Sequence, residues 1–595
     1  MLDVLIIGGG PHALTLASLL SSPDPEPDSD HEGDPPFSTS SSSSDPLRSQ
    51  AGPENSKNKL FTGRRKRRTT AGQMMEEVNT SSEWAAPPSL IVLVVDTYGE
   101  WTGLWESQFT ALNIPHLRSH TLVHTDPLNK NSLQEFALKH DRWDELHSLP
   151  EQIYILDENA FFNDMRLGKK EKKRLNIKSS LKKTLSLSLP GTKLSVDFFK
   201  DQVERYKLDK ILQKGTVEQI VPVTEETPKE REEDTSDTPI MDTGSKEGGS
   251  RRRVKYFQVH LQDGKILKAR RVVMATGPTR AQMSNIPMWV KHIEEMYPEE
   301  RLQHTVRLMH QKPNYKQNLK ETNGQKQSKD LFSGVCEAGQ RVMVVGGGLT
   351  SAHVVSLALQ QGAGQVTWVM RKHLQLKQFD VGDVESLVGR YSHVEHGIKM
   401  DGQAYLRQFY NERSLHKRLT MIRQARKGGA ITPEAYVHLQ PFIQNGQVEL
   451  KTFCQVNEAS WCYRTQTWNL SLSSGDRWTG DTIWLATGCK LDVRQDPLLS
   501  EVMREFPIQV IDGWPCITDG LKWTEDCPLY LMGQYSALQV GPHAVNLAGG
   551  QAASMRISKD IIHHQNQNSG LVSDMKGGKS KTEEYIQQMQ GLFWL

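Results

Sequence analysis

Small residues near the start of the chain have a spacing that can hold a dinucleotide. Gly8, Gly10 and Ala13 form the pattern G-x-G-x-x-A inside the apolar stretch of residues 2–20. This pattern predicts a buried strand, a tight turn at Gly8 and a helix that packs on the strand through the small Ala13. Gly10 would let the backbone approach a pyrophosphate, and the free amide groups of the helix N-terminus would face that anion.

An acidic residue follows the next apolar strand. Residues 90–95 are apolar and end at Asp96, whereas the acid that binds a ribose hydroxyl normally lies ~20 residues after the glycines. Residues 21–88 are rich in Pro, Ser, Asp and Glu, a composition that predicts a disordered insert. Without this insert the spacing is ordinary, so Asp96 is the predicted ribose ligand. The alternative is a turn aspartate that caps the strand.

A second glycine-rich turn lies between the apolar residues 341–345 and an apolar helix that ends near residue 358. The strand that follows, residues 366–370, ends in two cations instead of an acid. Arginine can hold a phosphate with two hydrogen bonds, so this unit is predicted to bind the 2′-phosphate of NADPH rather than NADH. Its candidate contacts are Gly346, Gly348, Leu349, Thr350, Ser351, Arg371 and Lys372.

Further glycines mark strand ends elsewhere in the chain. Two apolar strands run into Ala-Thr-Gly, which places Thr276–Gly277 and Thr487–Gly488 at turns. Near the C-terminus a strand is followed by Gly533, then by Gly541 and a helix. This late strand and helix predict that the last ordered segment returns to the first domain.

The bulk composition excludes several classes of protein. The chain has 595 residues and a net charge of +2, so nothing in it calls for a nucleic-acid partner. No apolar run has the length of a membrane span, and a strand that begins at residue 2 leaves no room for a signal peptide. The six cysteines include no C-x-x-C, which argues against a disulfide framework, a zinc site and a dithiol-disulfide reductase, and no metal is expected.

These features predict a cytoplasmic protein. The basic run Arg64–Arg68 resembles a nuclear-import patch, with a solvated charge run as the alternative. The sequence leaves the oligomeric state open.

Two dinucleotide units together with two Ala-Thr-Gly turns resemble the two-dinucleotide-fold flavoprotein monooxygenases. Within that group the chain is most similar to the lysine and ornithine N-hydroxylase-like proteins. Asp481, three residues before Leu-Ala-Thr-Gly, fits their motif, whereas Cys489 stands where Tyr or His is usual and bears on the substrate class. The matching pieces are residues 8–20, 114–119, 341–352, 377–380, 481–488 and 541–549.

The resemblance implies an α/β fold with two Rossmann-like domains, a discontinuous FAD domain and an inserted NADPH domain, together with long disordered inserts. The expected FAD domain comprises residues 1–20 and 89–335, with inserts at 21–88, 224–252 and 311–332, and resumes at 481–559. The expected NADPH domain is 336–480, with a helical insertion at 380–445, and a polar tail follows at 560–595. Thr276–Gly277 and Thr487–Gly488 would be the crossing points between the domains.

The resemblance also implies cofactor contacts. Gly8, Gly10, Ala13 and Asp96 would hold FAD, and the second turn would hold NADPH. Some side chains near the first turn are plausible neighbours of a flavin, with a structural role in the protein core as the alternative. They are Pro11, His12, Trp101 together with Trp105, His116 and Arg118.

The implied reaction is a monooxygenation. NADPH would reduce FAD, the reduced flavin would add dioxygen to give a 4a-hydroperoxyflavin, and a nucleophilic nitrogen or sulfur of a small-molecule substrate would take one oxygen. No catalytic base is evident in the sequence. The alternatives are a flavin-dependent reductase or oxidase without oxygen transfer, and a non-catalytic flavoprotein that acts through its inserts.

Overall fold

Two large β-sheets form the framework of this computed structural model. The structure describes residues 1–21, 90–148, 188–227, 251–277, 282–310, 334–377, 402–426 and 429–568. The strands, in chain order, are β1 (Leu2–Ile7), β2 (Val92–Asp96), β3 (Leu146–Ser148), β4 (Ser188–Pro190), β5 (Leu212–Lys214), β6 (Val217–Thr227), β7 (Arg251–Leu261), β8 (Ile266–Met274), β9 (Gln282–Ser284), β10 (Leu302–His304), β11 (Arg341–Val345), β12 (Gln365–Val369), β13 (Val448–Lys451), β14 (Val456–Cys462), β15 (Thr467–Leu472), β16 (Arg477–Gly480), β17 (Thr482–Leu485), β18 (Cys489–Leu491), β19 (Val510–Ile511), β20 (Trp514–Pro515), β21 (Lys522–Thr524) and β22 (Cys527–Leu531).

The helices lie between these strands and at the end of the described chain. They are α1 (Pro11–Ser21), α2 (Gly103–Ala111), α3 (Ser132–Lys139), α4 (Thr192–Arg205), α5 (Met288–Lys291), α6 (Val306–His310), α7 (Leu349–Gln360), α8 (Gly402–Asn411), α9 (Leu415–Arg426), α10 (Pro433–Gln444), α11 (Ser500–Glu505), α12 (Ala537–Val540) and α13 (Leu547–Asn568). Among the described helices, none is both long and apolar enough to cross a membrane.

The first sheet is built around β1. Its order is β21-β22-β8-β1-β2-β5, and β22, β8, β1, β2 and β5 run parallel. Val4, Leu5 and Ile6 of β1 are fully buried, as expected for a central parallel strand covered on both faces. Because neighbouring parallel strands end at one edge of a sheet, the turn after Ile7 lies beside Val95 and Met274.

The second sheet is parallel throughout. Its order is β10-β17-β11-β12-β13, so β11 lies between β12 and β17 in the same way that β1 lies between β2 and β8. The buried indole rings of Trp368 and Trp484 pack in its core. The antiparallel sheet β14-β15-β16 contributes Trp461 and Trp468 to an adjoining core.

Strand pairings cross the domain boundaries predicted at residues 335 and 481. Strand β10 pairs with β17 in the second sheet, and Trp289 of α5 packs in the core beside that sheet, although both were assigned to the FAD domain. Strand β17 pairs with β11, so the chain has not yet returned to the first sheet at residue 481. These boundaries depend on strand pairing between residues far apart in the chain, which no local pattern reports.

Two predicted polar segments are shorter than expected. Strand β6 continues to Thr227 and β7 begins at Arg251, where Lys255 pairs with Glu225 across the two strands, so the insert predicted at 224–252 was too long at both ends. The predicted tail at 560–595 overlaps α13, in which Ile561 is fully buried. Ser21 also belongs to a helix. Residues 22–88 of the insert predicted at 21–88 lie outside the described residues, as do the insert predicted at 311–332, the basic run Arg64–Arg68 and the tail beyond residue 568.

The helical insertion predicted at 380–445 does not belong to one domain. Phe409 of α8 and Leu419 of α9 are buried in the core of the first sheet, whereas Tyr436 of α10 is buried in the core of the second. Thr432 caps α10, since its Oγ1 accepts a hydrogen bond from the Ala435 amide, as the Thr-Pro pair predicted. The described part of this insertion therefore connects the two cores.

Candidate functional site

The first glycine turn combines one structural glycine with one glycine that faces open space. Gly8 has φ +104, and a Cβ there would lie 2.6 Å from the carbonyl oxygen of Ala275, so the close approach of β1 to β8 requires glycine. A Cβ at Gly10 would meet no atom within 4 Å. Ala13 is fully buried where α1 packs on the sheet. The backbone at Gly10 is therefore open to a ligand.

Asp96 ties the glycine turn to the end of β2. Its carboxylate accepts hydrogen bonds from the amides of Gly9 (2.9 Å) and Tyr98 (2.8 Å). It also lines the cavity in front of the turn. The side chain thus caps the turn and, from the same position, presents an acceptor to anything bound there.

A cavity of about 510 Å³ opens in front of this turn. Arg118 carries the one arginine or lysine charge among its described wall residues. It follows Leu117, whose amide donates a hydrogen bond to Pro190 O (2.9 Å). The sequence-predicted residues that line the cavity are Gly8, Gly10, Pro11, His12, Asp96, Arg118, Thr276, Gly277 and Gly533. The imidazole of His12 is held by a hydrogen bond between its Nε2 and the carbonyl of Asn546 (2.9 Å).

Four sequence-predicted residues do not line this cavity, and one of them is the fully buried Ala13. Trp101 packs on the first core, and Trp105, in the first turn of α2, lines the cavity in its place and stacks on Phe109. His116 is turned toward His147 instead. Gly541 is not among the described walls of the cavity. A Cβ at this position would lie 3.3 Å from the ring of His543. The i, i+4 spacing of Trp105 and Phe109 is the signal that indicates one aromatic helix face.

The second glycine turn repeats the geometry of the first. Gly346 has φ +142, and a Cβ there would overlap the carbonyl oxygen of Ala486, as one at Gly8 meets Ala275. Its amide donates to Val369 O at 2.9 Å, matching the 2.8 Å bond from Gly8 to Val95. Each Ala-Thr-Gly turn thus packs against a glycine of one dinucleotide-like turn.

The matching strand registers show which residues are equivalent. Ile7 pairs with Val95, and Val345 pairs with Val369, so the residue after the last of these pairs is Asp96 in the first unit and Met370 in the second. The second unit therefore has no carboxylate where the first has one. Arg371 follows immediately and lies in the walls of two neighbouring cavities.

These two cavities adjoin the second turn and are bordered by cations. One, of about 660 Å³, is lined by Arg371, Lys372 and Arg423, and neither cavity has an Asp or Glu among its described wall residues. The other, of about 1140 Å³, is lined by the sequence-predicted residues Gly346, Gly348, Thr350, Arg371, Thr487 and Gly488.

Two predicted contacts of the second turn have structural roles instead. Leu349 packs against the second core, and the Ser351 hydroxyl donates to Gly348 O at 2.5 Å. Neither residue is among the described cavity walls. Thr487 ties its own turn to the chain before α5, because its hydroxyl donates to Asn285 O at 2.6 Å.

A cluster of imidazoles lies beside the site. The rings of His116 and His147 are 5.1 Å apart, and His353 of α7 is close enough to interact with His116. Burial, followed by repulsion from His147, lowers the pKa of His116 to about 4; burial, followed by repulsion from His116, does the same for His353. Both side chains are therefore neutral in the folded protein at pH 7.

These pKa values predict that acid destabilises the protein. An unfolded histidine has its pKa near 6.5, so between pH 6.5 and 4 the unfolded chain binds more protons and stability falls as the pH falls. We expect His353→Gln to flatten this dependence, so that its melting temperature falls ~2–4 °C less over that range than the parent's. Thermal melts from pH 7 to pH 4.5 measure the slope, and parallel profiles for variant and parent would contradict the assignment.

The comparison with solved structures supports the fold. No family model matches the chain, and the search of curated proteins found no relative. Among the solved structures that match, three are similar to it along nearly their whole length. The ornithine hydroxylase PvdA from Pseudomonas aeruginosa has 14% sequence identity and a TM-score of 0.51 over 94% of this chain and 99% of its own. The ornithine N-hydroxylase KtzI from Kutzneria sp. 744 has 12% sequence identity and a TM-score of 0.53 over 95% of this chain and 100% of its own.

The L-lysine 6-monooxygenase from Pseudomonas syringae has 13% identity and a TM-score of 0.51 over 95% of this chain and 99% of its own. Sequence identities this low establish the fold alone. The chain therefore shares the fold of the ornithine and lysine hydroxylases, with two dinucleotide-type units in a single polypeptide.

Proposed function

We propose that this protein is an FAD-dependent, NADPH-using monooxygenase that hydroxylates a nucleophilic nitrogen or sulfur of a small molecule. The observation that carries the proposal is the repetition of one turn geometry at two sites with different surroundings. The first turn faces a single cavity with an acid at its strand end. The second has no acid there and is bordered by cations.

The first cavity suits FAD. The space beside Gly10 admits a pyrophosphate, the N-terminus of α1 points amides toward it, and Asp96 presents a carboxylate where an adenosine ribose would lie. Trp105 and Phe109 supply an apolar wall for a ring system, and Arg118 supplies donors for its polar edge. FAD bound there would supply the hydride and oxygen chemistry, while the protein supplies orientation and a water-poor surface.

The residues around the second turn suit NADPH better than NADH. Met370 replaces the acid that would bind a free ribose 2′-hydroxyl, and the guanidinium of Arg371 follows it. Lys372 and Arg423 add positive charge to the same cavity, with Arg423 itself held by Asp512. A phosphate group brought between these side chains would gain charge-assisted hydrogen bonds.

Anaerobic reduction followed by exposure to oxygen tests the proposed function. We expect the purified protein to be yellow and to bleach when NADPH is added without oxygen. When amines and thiols are then supplied with ¹⁸O₂, one substrate should gain a single labelled oxygen atom by mass spectrometry. Bleaching followed by oxidation with no labelled product from any amine or thiol would favour a reductase or oxidase. A colourless protein that NADPH does not affect would favour a non-catalytic role.

A further inference from the structure

The two glycine turns differ in one respect that the fingerprint does not predict. Gly348 occupies in the second turn the position that Gly10 occupies in the first. The space beside Gly10 is open, but a Cβ at Gly348 would lie 3.5 Å from the Cα of Gly429. In reverse, a Cβ at Gly429 would lie 2.5 Å from the Gly348 Cα and 2.7 Å from the Gly347 carbonyl carbon. The backbone of Gly429 therefore rests directly on the second turn.

Gly429 belongs to a short segment, Gly429–Ile431, that we call the strap. Its far end is bound to the chain after β12, because Ile431 donates to Gln375 O (2.9 Å) and accepts from the Lys377 amide (2.8 Å). The Ile431 side chain is fully buried in the second core. In this position the C-terminal end of the strap is hydrogen-bonded to the chain after β12, and its first residue covers the turn.

The helix that precedes the strap in the chain is attached to the other half of the molecule. Arg426, at the end of α9, donates two hydrogen bonds to Pro542 O (3.1 and 2.9 Å). Arg418 of the same helix donates to Leu538 O and to Gln539 Oε1. Helix α9 is therefore attached to the segment that leads into α13, beside the first cavity.

The strap also separates the two cavities of the second unit. Gly429 lines both the cavity that contains Lys372 and the larger one that contains Gly346. A dinucleotide with its 2′-phosphate in the first and its nicotinamide in the second must pass its pyrophosphate across Gly348. Gly429 occupies that passage.

We propose that the strap closes the second turn in the free protein and moves away from Gly348 when NADPH binds. The proposal rests on the proposed function, because it takes the second turn to be the coenzyme site. If only the open fraction binds, the apparent dissociation constant exceeds the intrinsic one by the reciprocal of that fraction. Opening thus limits how tightly and how fast the coenzyme binds.

Glycine at position 429 allows the strap to close. Gly429→Ala would place a methyl group against the backbone of Gly347 and Gly348, where neither partner is a flexible side chain. We therefore expect the variant to keep the strap open and to bind NADP⁺ about tenfold more tightly than the parent, with faster association. The matched control is Gly520→Ala, which lines neither cavity and whose new methyl group would meet side-chain atoms alone, the Asp560 carboxylate at 3.3 Å and Lys522 Cε at 3.9 Å.

A cross-linked variant tests the opposite state. Leu376 and Ile431 form a parallel bridge, so their Cα atoms lie at a separation that a disulfide can span. We expect the double variant Leu376→Cys/Ile431→Cys to bind NADP⁺ at least tenfold more weakly when oxidised than after reduction. The reduced form of the same protein controls for the loss of the two apolar side chains.

Calorimetric titration with NADP⁺ and stopped-flow association, both on the flavin-loaded full chain, provide the measurements. Tighter binding in Gly429→Ala and weaker binding in the oxidised double variant support the strap. If the parent binds NADP⁺ and the affinity of either variant does not change in its expected direction, the proposed movement of the strap is wrong. The assignment of the coenzyme site to the second turn is then unaffected. If neither the parent nor Gly429→Ala binds NADP⁺, the assignment of a coenzyme site to the second turn is wrong. The proposed movement of the strap is then wrong as well.

Discussion

Gly10→Val is expected to yield a folded protein that purifies without flavin. The two methyl groups of valine would enter the open space beside the first turn, where a pyrophosphate would have to approach the backbone. Apart from the two adjoining residues, no protein atom lies within 4 Å of the new Cβ, so we expect the fold to lose little stability. We expect flavin per chain, measured from the absorbance of denatured protein, to fall by more than ~10-fold, which corresponds to ~1.4 kcal/mol or more of binding free energy.

The same substitution at the equivalent position of the second unit is the matched control. Gly348→Val changes the same residue type in the same kind of turn, but it lies beside the cation-bordered cavities. That variant should retain flavin and lose its response to NADPH. A Gly10→Val protein that keeps its full flavin content, or a Gly348→Val protein that loses it, would contradict the assignment of FAD to the first turn.

Arg371→Ala is expected to weaken the binding of NADPH ten- to hundredfold, while the affinity for NADH barely changes. The guanidinium follows the position at which the first unit has Asp96, and it lines both cavities of the second unit. A hydrogen bond to a charged group contributes ~1.5–3 kcal/mol, and ~1.4 kcal/mol is a factor of ten in affinity. Because NADH has no 2′-phosphate, its binding loses no hydrogen bond when Arg371 is replaced. Anaerobic stopped-flow measurements of flavin reduction over a range of concentrations of each coenzyme give the apparent dissociation constants for NADPH and NADH.

Two further variants sharpen this measurement. Lys372 lines the same cavity as Arg371 and can compensate in part, so the double variant Arg371→Ala/Lys372→Ala should show the larger selectivity loss. Arg477→Ala removes an exposed arginine that lines neither cavity and should leave both coenzymes unaffected. Equal losses for NADPH and NADH in Arg371→Ala would remove the 2′-phosphate assignment.

Local patterns were sufficient for the elements that touch the proposed cofactors. The apolar run before Gly8 became β1, the apolar run after it became α1, and the G-x-G spacing predicted which glycine packs and which faces open space. The Thr432–Pro433 pair likewise predicted the start of α10. Each of these features depends on backbone sterics and on hydrogen bonds between residues a few positions apart, so the sequence by itself determines them.

Non-local packing decided the rest. Strand β17 belongs to the second sheet, where it pairs with β10 and β11. The sequence did not predict this pairing because both partners are far away in the chain. Trp105 instead of Trp101 faces the cavity because α2 begins between them and turns one indole inward. Gly429 covers Gly348 because α9 packs on one core and Ile431 on the other. Such contacts follow from how distant segments share buried surface, which spacing along the chain does not encode and the tertiary structure alone decided.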